Sequence, residues 1–212
     1  MSLQDSLPKV PRRKRRQVDG RRLRSERTRH LIIEAYLDLL NLAPGTPTAA
    51  QIAARAGYSV RSIFERFSDL DALGLAAMDY ALAVGQAEAV ARDVDGDRPT
   101  RIRSHVETRA YATEKWLPLW RILIRTQDKM PDLKSRIALA RQGNLERLKL
   151  MYRPELSTLE APARAQLLVA LVVLISFESW DLMRDYFGLS PEEARDVWRS
   201  AIDRMLPPTP PA

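Results

Sequence analysis

The most prominent chemical feature of the sequence is a concentration of positively charged side chains in residues 1–30. Eleven Lys and Arg residues stand there against three acidic residues, so this segment carries a charge of +8 while the whole chain carries +7. Charge concentrated in this way can anchor a protein to a polyanion, since neutralising phosphates releases condensed counterions. A solvated tail that keeps the protein in solution is the alternative, because Arg outnumbers Lys throughout the chain.

Side chains that could carry out catalysis are few. The chain has no Cys and only two His residues, His30 and His105, which excludes thiolate nucleophiles, disulfides and histidine-rich metal sites. The sequence patterns of serine hydrolases, P-loop proteins, zinc proteases and dinucleotide-binding folds are not found. The carboxylates of Glu192 and Glu193 stand at a helix start, where the helix dipole explains them. We therefore expect a protein that is not an enzyme and that uses no cofactor and no metal.

The block from Thr48 to Phe67 has the pattern of a helix-turn-helix. Thr48 and Gln51 have capping-box spacing at the start of the first short helix, and Gly57 tolerates the positive φ that the turn needs. Ser59 is the N-cap candidate of the second helix. On that second helix we expect three apolar residues to pack inward and four residues to point outward. The inward set is Ile63, Phe64 and Phe67, and the outward set is Val60, Arg61, Ser62 and Arg66.

From Ser25 to Leu73 the sequence resembles the TetR family of bacterial transcriptional regulators. The shared positions include Thr48 at the helix start, an Ala-Gly-x-Ser step, an aromatic residue three before Phe67 and an acidic-x-Leu step after it. The resemblance implies an all-α fold, with an N-terminal three-helix helix-turn-helix DNA-binding domain followed by a larger helical ligand-binding and dimerisation domain. A dimer would place two recognition helices about 34–36 Å apart, in successive major grooves of a pseudo-palindromic operator.

Two positions depart from the family pattern. Phe64 replaces the usual Tyr and Leu70 the usual Lys, and both family side chains typically meet DNA phosphates. Losing both would weaken DNA binding by about 1 kcal/mol or more for each contact. We expect the basic arm and Arg66 to restore this affinity, and the alternative is that Phe64 and Leu70 simply pack. The predicted DNA-binding residues are Arg22, Arg24, Arg27, Thr48, Tyr58, Ser59, Val60, Arg61, Ser62, Phe64 and Arg66.

The rest of the chain is charge-balanced and is expected to bind a small molecule and to dimerise. Residues 102–125 mix aromatic surface with a few polar groups, as ligand sites do, and the candidates there are His105, Arg109, Tyr111, Trp116 and Trp120. In the family, the last two long helices of each subunit form a four-helix interface. The candidates for core and dimer interface are Leu171, Leu174, Ile175, Trp180, Val197, Trp198 and Ile202. For every one of these residues, a place in the core of one chain is the alternative.

The periodicity of apolar residues predicts that the chain is built from helices, which would carry the candidate residues named above. Periodicity begins at Leu31, and further helices are predicted at 49–56, 60–67, 70–94, 100–113, 117–128, 132–152, 162–187 and 190–206. We divide the chain into a disordered basic arm (1–22), the helix-turn-helix domain (23–72), the ligand-binding and dimerisation domain (73–206) and a frayed Pro-rich tail (207–212). The longest apolar run has nine residues, and no signal segment is evident. We therefore expect a cytoplasmic protein that does not contact a membrane.

The leading hypothesis is a homodimeric repressor that a small-molecule effector of unknown identity releases from its operator. A transcriptional activator is an alternative, and it would have the same DNA-binding, dimerisation and ligand-binding regions. A nonspecific duplex-binding protein dominated by its basic arm is the second hypothesis, and it predicts equal affinity for any duplex together with a steep salt dependence.

Overall fold

The chain is built from α-helices. The computed structural model describes residues 20–43, 45–88 and 90–211, and within these ranges it contains no strand. The predicted all-α class, with an N-terminal helix-turn-helix and a helical C-terminal domain, is confirmed. In chain order the helices are α1 (Gly20–Leu42), α2 (Ala49–Ala56), α3 (Val60–Phe64), α4 (Leu70–Glu88), α5 (Arg98–Thr126), α6 (Pro131–Met151), α7 (Arg153–Ser157), α8 (Ala161–Leu174), α9 (Phe177–Asp181) and α10 (Pro191–Met205). A 3-10 turn (Gln127–Lys129) follows α5, and a π-helical turn (Leu182–Tyr186) follows α9.

No single helix in the described part of the chain is long and apolar enough to cross a bilayer, and only α8 with the segment after it passes that test as a pair, across a 43° bend.

The first helix begins earlier than the apolar pattern indicates. Residues 20–22, predicted to belong to the disordered arm, form the first turn of α1. Local polar contacts support this turn, because Arg22 pairs with Glu26 at 3.0 Å and Arg24 Nε donates to the carbonyl of Gly20 at 3.1 Å. Residues 1–19 of the predicted arm lie outside the described residues.

Two long predicted segments differ from the observed helices. The two helices predicted at 100–113 and 117–128 form a single helix, α5, which continues through Pro118. A proline inside a helix costs about 3 kcal/mol, but Leu117, Leu119 and Trp120 beside it are buried and their packing holds the helix straight through. The prediction failed because it weighed the local proline and not this packing.

The helix predicted at 162–187 is instead broken after Leu174. Ser176 caps the next helix, α9, by accepting a hydrogen bond from the backbone amide of Ser179 at 3.0 Å. At the break the carbonyl of Ile175 is not part of a continuous helix, and Arg109 Nε on α5 donates a hydrogen bond to it at 2.9 Å. A side chain distant in sequence therefore stabilises this break.

The interior consists of two clusters of buried apolar side chains. The first joins α1–α4 to the C-terminal part of α5 and to α6, and it includes Ile52, Ile63 and Leu133. The second joins the N-terminal part of α5 to the end of α6 and to α7–α10, and it includes Trp180 and Trp198. Since α4 packs in the first cluster with both α1 and α6, the helix-turn-helix shares its core with the region that follows.

The Pro-rich tail is attached to the second cluster and is not frayed as predicted. Arg98 donates to the carbonyl of Leu206 at 3.1 Å and forms an ion pair with Asp203 at 2.8 Å. Thr209 Oγ1 donates to Glu155 Oε1 at 2.6 Å, and Glu155 is fully buried against Arg101. These tertiary contacts hold residues that local propensity alone would leave disordered.

Candidate nucleic-acid interface and effector cavity

Three local capping interactions define the ends of α2 and α3 and the turn between them. Thr48 and Gln51 form the predicted capping box, in which the Thr48 amide donates to Gln51 Oε1 at 2.8 Å. Gly57 has φ +73° at the C-terminus of α2, a left-handed conformation that most side chains disfavour. Ser59 caps α3 by accepting the amide of Ser62 at 3.1 Å. The predicted helix-turn-helix and its three capping positions are thereby confirmed, although the second helix ends at Phe64 and not at the predicted Phe67.

The second helix of this motif has one buried side and one exposed side. Ile63 is fully buried and Phe67, just beyond the helix, is nearly so, both packing with α1 in the first core cluster. Val60 and Phe64 are exposed, and the Arg61 side chain is 89% exposed, with only Glu65 one turn away as a partner at 3.0 Å. The exposed side therefore presents a cationic donor and two apolar side chains, groups that read base edges and thymine methyl groups in a major groove.

Two predictions about this helix are wrong. Phe64 was expected to pack inward, but it is 47% exposed, because Ile63 and Phe67 already fill the space between α1 and α3. Arg66 was expected to point outward, but it folds back, donating from Nη1 to the carbonyl of Ser62 at 2.9 Å. Leu70 is half-buried and packs on the first core cluster. Arg66 is therefore held by the protein and is less available for a phosphate than Arg61.

The start of α1 runs beside the same turn. Thr28 Oγ1 donates to Tyr58 Oη at 3.3 Å, and Arg29 Nη1 donates to the carbonyl of Arg66 at 3.0 Å. The guanidinium of Arg29 also lies 4.3 Å from the ring centre of Phe67. Arg22, Arg24 and Arg27 are exposed on these first turns of α1. The structure therefore brings the predicted basic residues of α1 and the predicted contacts of the turn into one region.

A cavity of about 290 Å³ lies between α4, α5, α6 and α9. Its walls are largely apolar and aromatic, with Trp120 and Phe177 stacked in parallel at 4.4 Å between ring centres. The lining side chains are Met78, Ala81, Leu82, Gly85, Gln86, Thr108, Arg109, Ala112, Trp116, Leu119, Trp120, Leu139, Ala140, Gly143, Asn144, Arg147 and Phe177. This size is at the lower end of the range for small-molecule sites.

Two arginines, Arg109 and Arg147, line this cavity. Arg109 donates to the Ile175 carbonyl and stands 4.8 Å above the ring centre of Phe177. Burial lowers the pKa of Arg109 to about 10; the carboxylate of Glu178 opposes this shift and the neighbouring charge of Arg147 adds to it. Burial also lowers the pKa of Arg147. Two guanidinium groups thus repel one another in a partly dehydrated site.

Of the five predicted ligand-binding residues, Arg109, Trp116 and Trp120 line the cavity and two do not. His105 is buried in the second core cluster region, where Nδ1 lies 2.8 Å from Tyr152 Oη. Burial lowers the pKa of His105 to about 3, and the charges of Arg109 and Arg147 contribute to this shift. Tyr111 is 58% exposed on the other side of α5. Tyr111 is on the opposite side of α5 from Arg109, whereas His105 shares the side of Arg109 but lies one turn closer to the N-terminus, where its partner Tyr152 belongs to the second core cluster.

Sequence reasoning missed the contribution of α6 to the cavity. Ala140, Gly143, Asn144 and Arg147 recur there at spacings of three and four, which makes one stripe of small and polar residues along the helix. That stripe is visible in the sequence and could have been found. The contact of Phe177 with the cavity could not, because it depends on the break between α8 and α9.

Most of the predicted dimer-interface residues lie inside a single chain. Leu171, Ile175, Trp180, Trp198 and Ile202 are at most 1% exposed, which corrects their assignment to the interface because a second chain cannot reach them. Leu174 is half-buried and Val197 is 43% exposed. Further exposed apolar side chains stand on the same helices and on the π-helical turn. They are Val169, Val173, Leu182, Tyr186 and Phe187.

Comparisons with known proteins agree with this arrangement. No protein-family model and no curated protein matches the sequence. Among solved structures, a protein assigned to the TetR family of transcriptional regulators from Mesorhizobium loti MAFF303099 is similar over 86% of this chain and 96% of its own, with a TM-score of 0.56 and 18% identity. A protein assigned as a transcriptional regulator from Streptomyces coelicolor A3(2) is similar over 85% of this chain and 98% of its own, with a TM-score of 0.52 and 21% identity.

A third similar structure is that of the multidrug binding protein EbrR complexed with imidazole. It covers 88% of this chain and 92% of its own, with a TM-score of 0.52 and 20% identity. The chain therefore has the fold of TetR-family regulators, and the resemblance seen in its sequence is confirmed at the level of the fold.

Proposed function

We propose that this chain is a homodimeric DNA-binding transcriptional regulator of the cytoplasm, a repressor that a small-molecule effector releases from a pseudo-palindromic operator. The observation that carries this proposal is the exposed side of α3, where Val60, Arg61 and Phe64 face outward from a rigidly capped helix-turn-helix. The fold shared with known regulators supports the same function.

The DNA contacts that we propose divide into two groups. Val60, Arg61, Ser62 and Phe64 belong to α3, which would enter the major groove and read base edges, with Ser59 and Tyr58 at the edge of the groove. Arg22, Arg24 and Arg27 on α1, together with Thr48, would contact the phosphate backbone. The first group supplies specificity and the second supplies affinity that does not depend on sequence.

Dimerisation through α8 and α10 is supported by the apolar side chains left on their surface. Val169 and Val173 are 66% and 64% exposed, one helical turn apart on α8, and α10 adds Val197. Exposed apolar surface of this kind is stabilised when a second copy covers it. A two-fold axis through these helices would pair two α3 helices on successive turns of one DNA face.

Effector release would act through α4. This helix begins at Leu70, which packs on the helix-turn-helix core, and its later turns contribute Met78, Ala81 and Gly85 to the cavity. An ion pair between Asp79 and Arg136 at 2.5 Å connects α4 to α6. An effector that fits the cavity better in one position of α4 would favour that position, and the distance between the two α3 helices would change with it.

The proposal is tested by selecting bound duplexes from genomic fragments at physiological salt, with the full chain and with a variant that begins at residue 20. Starting at residue 20 keeps α1 intact while removing most of the basic arm. We expect a recurring inverted repeat with both proteins, and weaker binding with a flatter salt dependence for the shortened one. Absence of any enriched sequence would refute a specific regulator.

The second candidate function is nonspecific duplex binding. It is favoured by the exposed basic residues of α1 and by the lack of a polar side chain at both Phe64 and Leu70. Equal affinity for all duplexes in the same selection would establish it. An activator would consist of the same domains and would differ from a repressor in its effect on transcription.

A further inference from the structure

We infer that the effector is an organic anion, an amphipathic molecule with a planar apolar body and one carboxylate that binds between Arg109 and Arg147. The inference rests on the proposed function, since it names the chemical class of the effector. It is argued from the charges, donors and walls of the cavity between α4, α5, α6 and α9.

The two arginines of the cavity are without counter-charges. Neither has a carboxylate oxygen within 4.0 Å among the described residues, whereas most other arginines in this part of the chain are ion-paired. The acidic group that acts on Arg109 is Glu178, which is itself paired with Arg141 at 3.0 Å. None of the lining side chains is acidic. The cavity therefore has two positive charges that nothing in its walls neutralises.

Hydrogen-bond capacity in the cavity is dominated by donors. Arg147 makes no hydrogen bond with the described residues, and Arg109 uses only Nε, which leaves its two terminal nitrogens available. The indole Nε1 atoms of Trp116 and Trp120 are buried and have no acceptor among the described residues. Trp120 itself is only 6% exposed. The donors that line the cavity are the guanidinium groups of Arg109 and Arg147, so the cavity would complement a ligand that brings acceptor oxygens.

The other side chains that line the cavity determine which apolar group of a ligand can bind. Trp120 stacks on Phe177, and Met78, Leu82 and Leu119 line the same space. A flat apolar group would pack among these aromatic and aliphatic side chains, and the cavity volume of about 290 Å³ is large enough for a bicyclic ring. A cationic amphiphile would meet two guanidinium groups in a partly dehydrated space and would be repelled.

The inference is tested with three probes that share one ring system: 2-naphthoate, 2-naphthamide and 2-naphthylmethylammonium. Binding to the full chain is measured at pH 7 without DNA by isothermal titration calorimetry. Because a charge-assisted hydrogen bond is about twice as strong as a neutral one, we expect naphthoate to bind at least about tenfold more tightly than the amide, and the ammonium compound to bind most weakly.

Variants locate the carboxylate in the cavity. Arg147→Met removes one charge and no hydrogen bond within the described residues, so the fold should be retained, and we expect it to lower naphthoate affinity about tenfold while the amide changes less than about twofold. Arg147→Lys should restore part of the affinity. The control is Lys134→Met, which removes a positive charge from an exposed residue of the same helix that does not line the cavity, and it should leave naphthoate binding within about twofold.

Equal affinity of the acid and the amide, preference for the ammonium compound, or no binding of any probe at millimolar concentration would overturn the inference. So would an Arg147→Met variant that binds naphthoate as tightly as the parent. These results are independent of the duplex selection. If naphthoate binds as expected but no inverted repeat is enriched, the proposed regulatory function fails and the anion site stands.

Discussion

Replacing Arg61 with Gln tests the assignment of α3 as the recognition helix. The Arg61 side chain is 89% exposed and contacts only Glu65, so the substitution removes no packing and should leave the free energy of unfolding within about 0.5 kcal/mol of the parent. A bidentate contact of Arg with a guanine edge is worth about 1–3 kcal/mol, and opening an exposed ion pair such as Arg61–Glu65 costs about 0–1 kcal/mol. The net loss should be about 1–2 kcal/mol for each half-site, and because both subunits of the dimer carry the substitution it should be about 2–4 kcal/mol on the operator, or about 30- to 900-fold in Kd.

The assay is fluorescence anisotropy on the selected operator and on a scrambled duplex, over a range of salt concentrations. Arg61→Gln should weaken binding to the operator and leave the scrambled duplex almost unchanged, so that the ratio of the two affinities falls. The matched control is Arg27→Gln on α1, which should weaken both duplexes equally and reduce the salt slope by about two, one for each subunit of the dimer. If Arg61→Gln lowers both affinities by the same factor, or leaves both unchanged, then Arg61 does not contact a base and α3 does not read the major groove as we propose.

Three further predictions concern the fold and the assembly. Glu155→Leu should lower the free energy of unfolding by about 3–5 kcal/mol, because it leaves the buried Arg101 without its bidentate partner. The double variant Arg101→Met/Glu155→Leu should recover most of this loss in urea unfolding, and an unrecovered loss would contradict the assigned ion pair. Stability should also fall as the pH is lowered below about 6.5, by about 2 kcal/mol at pH 5, because the unfolded chain binds a proton at His105 that the folded chain, with a pKa of about 3, does not. His105→Gln should abolish this part of the pH dependence, and a variant that retains it would show that another group is responsible. Val173→Glu should convert the dimer to a monomer in analytical ultracentrifugation without loss of helicity. Leu42→Glu, which changes an exposed apolar residue on α1, should leave the dimer intact. A dimer that persists in the Val173→Glu variant would place the interface elsewhere.

Local features of the sequence were sufficient to predict the helix-turn-helix. Thr48 with Gln51, Gly57 and Ser59 act on neighbours no more than four residues away, so their hydrogen bonds follow from spacing alone. The same holds for Ser190 and Glu193, whose predicted capping box starts α10. The resemblance to TetR-family regulators depends on such short-range positions, which explains why the sequence predicted the fold correctly.

Directions of side chains on α3 were less predictable. Ile63, Phe64 and Phe67 are all apolar, and Phe67 follows Ile63 by four residues and Phe64 by three, so helical spacing allows either one to share a side with Phe67. Only the shape of α1 decides that Ile63 and Phe67 fill the space and that Phe64 stays exposed. The backward fold of Arg66 likewise depends on the carbonyl of Ser62 being within reach.

The sequence by itself determined the class of fold, the position of the helix-turn-helix and the separation of basic from charge-balanced regions, because these depend on neighbouring residues and on composition. Only the tertiary structure decided which residues form the cavity, since Arg109 on α5 meets Arg147 on α6 and Phe177 on α9 across long stretches of chain. It also decided that α5 continues through Pro118, that α8 ends before Ser176 and that most predicted interface residues are core. In each of these cases the packing of distant segments outweighs a local preference of a few kcal/mol, and no local pattern records which segments will meet.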